Sequence, residues 1–128
     1  MPMIIAKSVE DVVLALRDHP DARLIQGGTD LMVEINFNHV KPTTMISIRD
    51  IESLKTISQQ NDGVIRIGSG VPYSQLEQEP IRSVVPALAQ ASRTVGSPQI
   101  RAAGTLGGNL GTCSPAGDTL PVMFALDA

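Results

Sequence analysis

Two glycine-rich stretches hold the residue types in this chain that could do chemistry. The longer runs from Arg101 to Asp118 as Arg-Ala-Ala-Gly-Thr-Leu-Gly-Gly-Asn-Leu-Gly-Thr-Cys-Ser-Pro-Ala-Gly-Asp, and the shorter is Gln26-Gly27-Gly28-Thr29-Asp30. Neither has the apolar surface to build a core. Both offer backbone N–H groups that no side chain obstructs, and Thr29, Thr105 and Asn109 add neutral donors. That combination suits an anionic ligand that the backbone approaches closely, a phosphate above all. The Gly-x-Gly-x-x-Gly pattern of a dinucleotide fold is absent, as is the lysine motif of a phosphate loop, so an NAD or ATP site of those kinds is disfavoured. A third glycine pair, Gly68-Ser69-Gly70, follows a hairpin and reads as a turn in preference to another anion loop.

The other reactive residues carry less. Cys113 has no histidine near it in sequence and reads as a small passive residue. Asp30 and Glu34 share a helix face, where they read as a first-turn acid and a solvated side chain. Arg101 fits either a phosphate partner or an exposed helix-end or surface arginine. With one cysteine and two histidines, His19 and His39, the chain has no disulfide framework, no iron–sulfur cluster of its own and no plausible zinc site. A net charge of -3, no Trp, one Tyr and two Phe argue against nucleic-acid binding, which needs a basic footprint or stacking platforms.

The elements that must position these stretches follow from local pattern. Met3 to Ala6 is β-compatible. Ser8 and Asp11 resemble a capping box ahead of a helix with apolar residues at 9, 12, 13 and 16, which Pro20 stops. Ala22 to Ile25 reads as a strand running into Gly27-Gly28, with a helix from Asp30 to about Ile35. The shorter stretch thus sits between a strand's end and a helix's start, where unpaired N–H groups collect. Met45 to Ile48 and Thr56 to Ser58 read as strands, with a helical turn at Ile51 to Leu54. Asn61-Asp62-Gly63 predicts a turn, and Val64 to Ile67 completes a hairpin. Pro72 to Gln78 is predicted helical, and Pro80 to Val95 as a longer helix kinked or broken at Pro86. The Arg101–Asp118 stretch reads as loop, and Thr119 to Leu126 as a closing helix. The class is α+β, with short strands in mixed sheets and flanking helices.

The N-terminus, Met-Pro-Met-Ile-Ile-Ala-Lys, lacks the basic and apolar regions of a signal peptide, and no apolar run approaches the ~18–20 residues of a membrane span. Cytoplasmic residence is the expectation. Leu120 to Ala128 looks like an amphipathic helix that has barely ended, which suggests a fragment or a piece of something larger.

Leu24-Ile25-Gln26-Gly27-Gly28-Thr29-Asp30-Leu31, Thr105-Leu106-Gly107-Gly108-Asn109 and Ser114-Pro115-Ala116-Gly117-Asp118 together resemble the FAD-binding subunit or domain of the molybdenum hydroxylases, the xanthine and carbon monoxide dehydrogenase family. The resemblance covers essentially the whole chain but only the front part of that family's domain. It implies a truncated PCMH-type (vanillyl-alcohol-oxidase-like) FAD-binding fold, with about residues 1–55 as a first α/β subdomain and about 56–128 as the start of a second. It also implies that Ile25, Gln26, Gly27, Gly28, Thr29, Asp30 and Leu31, with Thr105, Leu106, Gly107, Gly108 and Asn109, wrap the FAD diphosphate and approach the flavin. Asp118 would accept from ribose hydroxyls or the adenine side; capping the following helix is the other reading of this residue, and the two are compatible. A diphosphate carries about two negative charges and one helix terminus offers about half a charge, so two donor loops serve it better than one. Val95 stands where some members place an aromatic against the flavin. By the same resemblance, molybdopterin and [2Fe–2S] clusters lie on partner subunits, and electrons pass through FAD to NAD or another acceptor. Two rivals are a different PCMH-type branch, the enolpyruvyl-glucosamine reductases or vanillyl-alcohol-type oxidases, and a non-functional fragment. Asn109 and the Ser-Pro-x-x-Asp segment favour the first reading.

Overall fold

The computed structural model describes residues 1–128. Three short parallel strands, β1 (Met3–Ile5), β2 (Arg23–Ile25) and β3 (Met45–Ser47), form a sheet in the order β1-β3-β2, with Ile4 and Leu24 both level with Ile46. Parallel neighbours need crossovers. Helix α1 (Val9–Asp18) makes the first and α2 (Leu31–Asn36) the second. The α1 start is the predicted capping box: Ser8 Oγ accepts from the Asp11 N–H at 3.0 Å, and Asp11 accepts from the Ser8 and Lys7 N–H groups at 3.0 and 2.9 Å. Central strand β3 is buried on both sides, and Ile46 packs with Ala6, Val12, Ala15 and Ile51 in one apolar cluster.

The hairpin β4 (Ile57–Gln59) and β5 (Ile65–Ile67) turns at Gly63, whose φ is +87°, with Asp62 Oδ1 accepting from the Val64 N–H at 3.0 Å. Gly68 and Gly70 donate to the Thr56 and Leu54 carbonyls, both at 2.8 Å, so that glycine pair is a structural turn.

Beyond it lie α3 (Tyr73–Leu76), α4 (Ile81–Val84) and α5 (Pro86–Thr94). The predicted long helix is two helices, because Pro86 opens α5 and Val85 leaves helical geometry at φ -132°, ψ 64°. A proline lacks the N–H that a helix interior needs but not the one at its start. Val71, Tyr73, Leu76, Ile81, Leu88, Ala89 and Leu106 form the second apolar cluster, each large side chain contributing roughly 1.5–3 kcal/mol by burial. Val95 packs against this cluster.

The Arg101–Asp118 stretch corrects the loop reading. It carries the end of α6 (Pro98–Ala103) and all of α7 (Leu106–Thr112), and α8 (Leu120–Ala125) follows it. Thr105 caps α7, its Oγ1 accepting from the Gly108 N–H at 3.0 Å, and Cys113 ends it with φ +51°. Those end effects, with Leu106 anchored in the core, offset the poor helix propensity of glycine. Thr119, not Asp118, occupies the cap position of α8, without a capping bond. Arg101 sits at the end of α6, as one expectation has it, but it is not exposed and does not line the cavity. Its Nε meets Glu77 Oε1 at 2.8 Å with both side chains mostly buried, and its guanidinium also donates to the Val95 and Gly96 carbonyls. No helix is long and apolar enough to cross a membrane.

Candidate functional site

A cavity of about 640 Å³ opens between the carboxyl end of β2 and the start of α7. Its first wall is Ile25 to Leu31. The N–H groups of Gln26, Gly27, Gly28, Thr29, Asp30 and Leu31 make no hydrogen bond within the protein, and all six residues line the cavity. Unpaired backbone donors in such a run are rare and mark a place prepared for an acceptor. The left-handed Gly28, with φ +73°, turns the chain there. Such turns gather successive N–H groups into an anion-binding concavity.

The second wall differs from the expectation of a second free donor loop. The Leu106 N–H is held by the Val71 carbonyl at 3.1 Å, that of Gly107 by the Ser69 carbonyl at 2.9 Å, and that of Gly108 by Thr105 Oγ1. The three N–H groups that the start of α7 would otherwise leave open are thus already engaged by upstream carbonyls and the Thr105 cap. What this wall presents is low bulk. A Cβ on Gly108 would meet only Thr105 Oγ1 at 3.1 Å, and one on Gly111 nothing within 4 Å. Asn109 accepts from the Thr119 hydroxyl through Oδ1, which leaves its amide N–H groups to donate.

The walls touch. A Cβ on Gly27 would lie 2.0 Å from the Ala103 carbonyl oxygen, and one on Gly107 2.5 Å from Ser69 Cβ, so these two glycines allow backbones to pack. Thr112 Oγ1 donates to Asp30 Oδ2 at 3.2 Å, a second link between the walls.

Of the predicted residues, Ile25 to Leu31, Thr105, Gly107, Gly108 and Asn109 all line the cavity. Leu106 does not, being buried in the core behind its wall. Asp118 also lies off the cavity lining, where its carboxylate accepts from the Thr94 hydroxyl at 3.2 Å. Sequence reasoning missed Ser69, Tyr73, Gly104 and Thr112. The isolated bridge between Pro72 and Thr105 brings the first three to the site, a pairing with no local signal. Burial first, then the carboxylates of Asp30 and Asp118, push the Tyr73 phenol up to about 12. The charged groups in the lining are Arg23, Asp30 and Glu34, with Glu34 also 3.3 Å from His39. No cluster of three or more metal-ligating side chains is present.

The sequence of the whole chain, residues 1–128, matches the family described as the FAD binding domain in molybdopterin dehydrogenase. The chain belongs to that family. This FAD-binding domain is 43% identical over 125 residues to the nicotinate dehydrogenase FAD-subunit of Eubacterium barkeri, covering 95% of this chain and 42% of that protein. It is 36% identical over 123 residues to the caffeine dehydrogenase subunit beta of Pseudomonas sp. (strain CBB1), covering 94% of this chain and 41% of the relative. Among solved structures, quinoline 2-oxidoreductase from Pseudomonas putida 86 superposes with a TM-score of 0.82 at 32% identity, over 86% of this chain and 39% of that one. Reconstituted CO dehydrogenase from Oligotropha carboxidovorans gives 0.87 at 27% identity, over 91% and 41%. The chain therefore spans about two-fifths of the length of these relatives. The fold is the α+β FAD-binding fold of this family, and FAD is the family's cofactor. The donor set fits it: six N–H groups without partners, all on residues that line one cavity, are chemically suited to a diphosphate.

Proposed function

We propose that this domain is the FAD-holding, electron-transfer component of a molybdenum hydroxylase. Ile25 to Leu31 cradle the diphosphate, and Thr105, Gly107, Gly108 and Asn109 form the facing wall along which the cofactor extends toward its flavin. Leu106 supports that wall from behind. Asp118 stands off the cavity, and the ribose role expected of it does not enter this reading. The run of six unpaired N–H groups between Gln26 and Leu31 carries the proposal.

FAD, when bound, supplies the one- and two-electron chemistry. The chain contributes neutral donors, a low-bulk approach and fixed geometry. Helices α2 and α7 are short, six and seven residues, so the individual N–H groups matter more than any helix dipole. Two apolar clusters, one within residues 6–51 and one within 71–106, fit two subdomains meeting at the cavity. The reading extends to a [2Fe–2S] subunit as donor, a molybdopterin subunit as the substrate site, NAD or another acceptor downstream, and residence in the cytoplasm.

The test is FAD uptake by the purified protein, followed by flavin fluorescence. Gly108→Val places a branched side chain on the open face of the second wall. FAD affinity is expected to drop by at least about tenfold, roughly 1.4 kcal/mol, with the fold intact by circular dichroism. Unchanged affinity would remove Gly108 from the site, and a wild-type protein that takes up no FAD would overturn the proposal. Co-purification with an iron–sulfur and a molybdenum subunit tests the assignment to the larger complex.

A further inference from the structure

Tyr73 is only 3% exposed, yet it lines the cavity. Its backbone N–H donates to the Gly104 carbonyl at 3.1 Å. Its ring lies close against that glycine, where a Cβ would come within 2.9 Å of Cε2. Backbone and ring are thus both fixed to the base of the second wall. The hydroxyl has no hydrogen-bond partner in the protein. The one fully enclosed side-chain polar atom without a partner is Ser92 Oγ, so the Tyr73 hydroxyl keeps some accessible surface on a residue that lines the cavity. A phenol held this firmly in an apolar cluster with its polar end unsatisfied awaits an acceptor.

The charges of the cavity indicate which acceptor. Its lining holds one cation, Arg23, against the carboxylates of Asp30 and Glu34, so a bound diphosphate must be met chiefly by neutral donors. Resting on the FAD reading above, we propose that Tyr73 is a cofactor-positioning residue whose hydroxyl donates a hydrogen bond to a diphosphate oxygen of FAD. Hydrogen bonds from a neutral donor to an ionised acceptor are the stronger kind. Burial, then the carboxylates of Asp30 and Asp118, push the phenol up to about 12, so it stays a donor throughout the physiological range.

The experiment compares the 128-residue protein with its Tyr73→Phe variant. Removing an unpartnered hydroxyl is expected to leave the melting temperature of the cofactor-free protein unchanged. FAD affinity should weaken about 10- to 100-fold, ADP affinity by a similar factor, and riboflavin, which has no phosphate, should show no change. Equal FAD affinity in the two proteins overturns the proposal, as does a loss for riboflavin as large as that for FAD. A wild-type protein that binds no FAD sinks the FAD reading and this inference together. Wild-type uptake with no effect in the variant removes Tyr73 alone. A second measurement needs no variant. The chain has one tyrosine and no tryptophan, so its tyrosine emission reports on Tyr73. Inorganic pyrophosphate should shift that emission saturably; a flat trace at concentrations that displace FAD overturns the proposal.

Discussion

Glycines of one sequence type have three different jobs within this site. Gly28 turns the chain, Gly27 and Gly107 let backbones meet, and Gly108 and Gly111 keep a helix face bare. Substitution separates these jobs. In Gly27→Ala the new methyl meets the Ala103 carbonyl oxygen at 2.0 Å, and a carbonyl cannot swing aside as a flexible side chain does. We expect a loss of about 1–3 kcal/mol by urea denaturation, together with weaker FAD binding as the walls separate. Gly111→Ala goes the other way. Nothing lies within 4 Å of its Cβ, the residue is exposed on α7, and replacing a helical glycine should stabilise by about 0.5–1 kcal/mol. Identical stability in the two variants would refute the division.

The Glu77–Arg101 pair sits at the scale of elements, where it ties α3 to α6. Arg101→Met removes the cation and leaves Glu77 without its partner in a mostly buried place. The expected cost is about 2 kcal/mol, between the values for exposed and fully buried pairs. FAD affinity should not change, because neither side chain lines the cavity. Weakened FAD binding at unchanged stability would restore the phosphate-partner role. Local chemistry made several elements legible in the sequence. The Ser8–Asp11 capping box, the Asn61-Asp62-Gly63 turn and the strand running into Gly27-Gly28 each depend on residues within a few positions. Pro86 marked a break for the same reason. Helix α7 was not legible, since glycine propensity argues against it. The Leu106 anchor and the Ser69 carbonyl against Gly107 come from chain far upstream. The candidate site divides in the same way: its first wall is one continuous segment, whereas Tyr73 and Ser69 reach it only through the bridge between Pro72 and Thr105.

At the scale of the whole molecule, the two apolar clusters belong to different stretches of chain, and the cavity lies where the sheet meets the helices of the second cluster. The contact of Gly27 with the Ala103 carbonyl joins the walls at backbone level, and the Thr112–Asp30 hydrogen bond joins them again. That junction has a kinetic consequence. Walls fixed to each other hold the unpaired donors in place before any ligand arrives, so no opening step need precede binding. Stopped-flow mixing should therefore show a single exponential whose rate constant rises linearly with FAD concentration. A rate that levels off at high FAD would show that the walls part before the cofactor enters, and that the backbone contact at Gly27 gives way on that timescale.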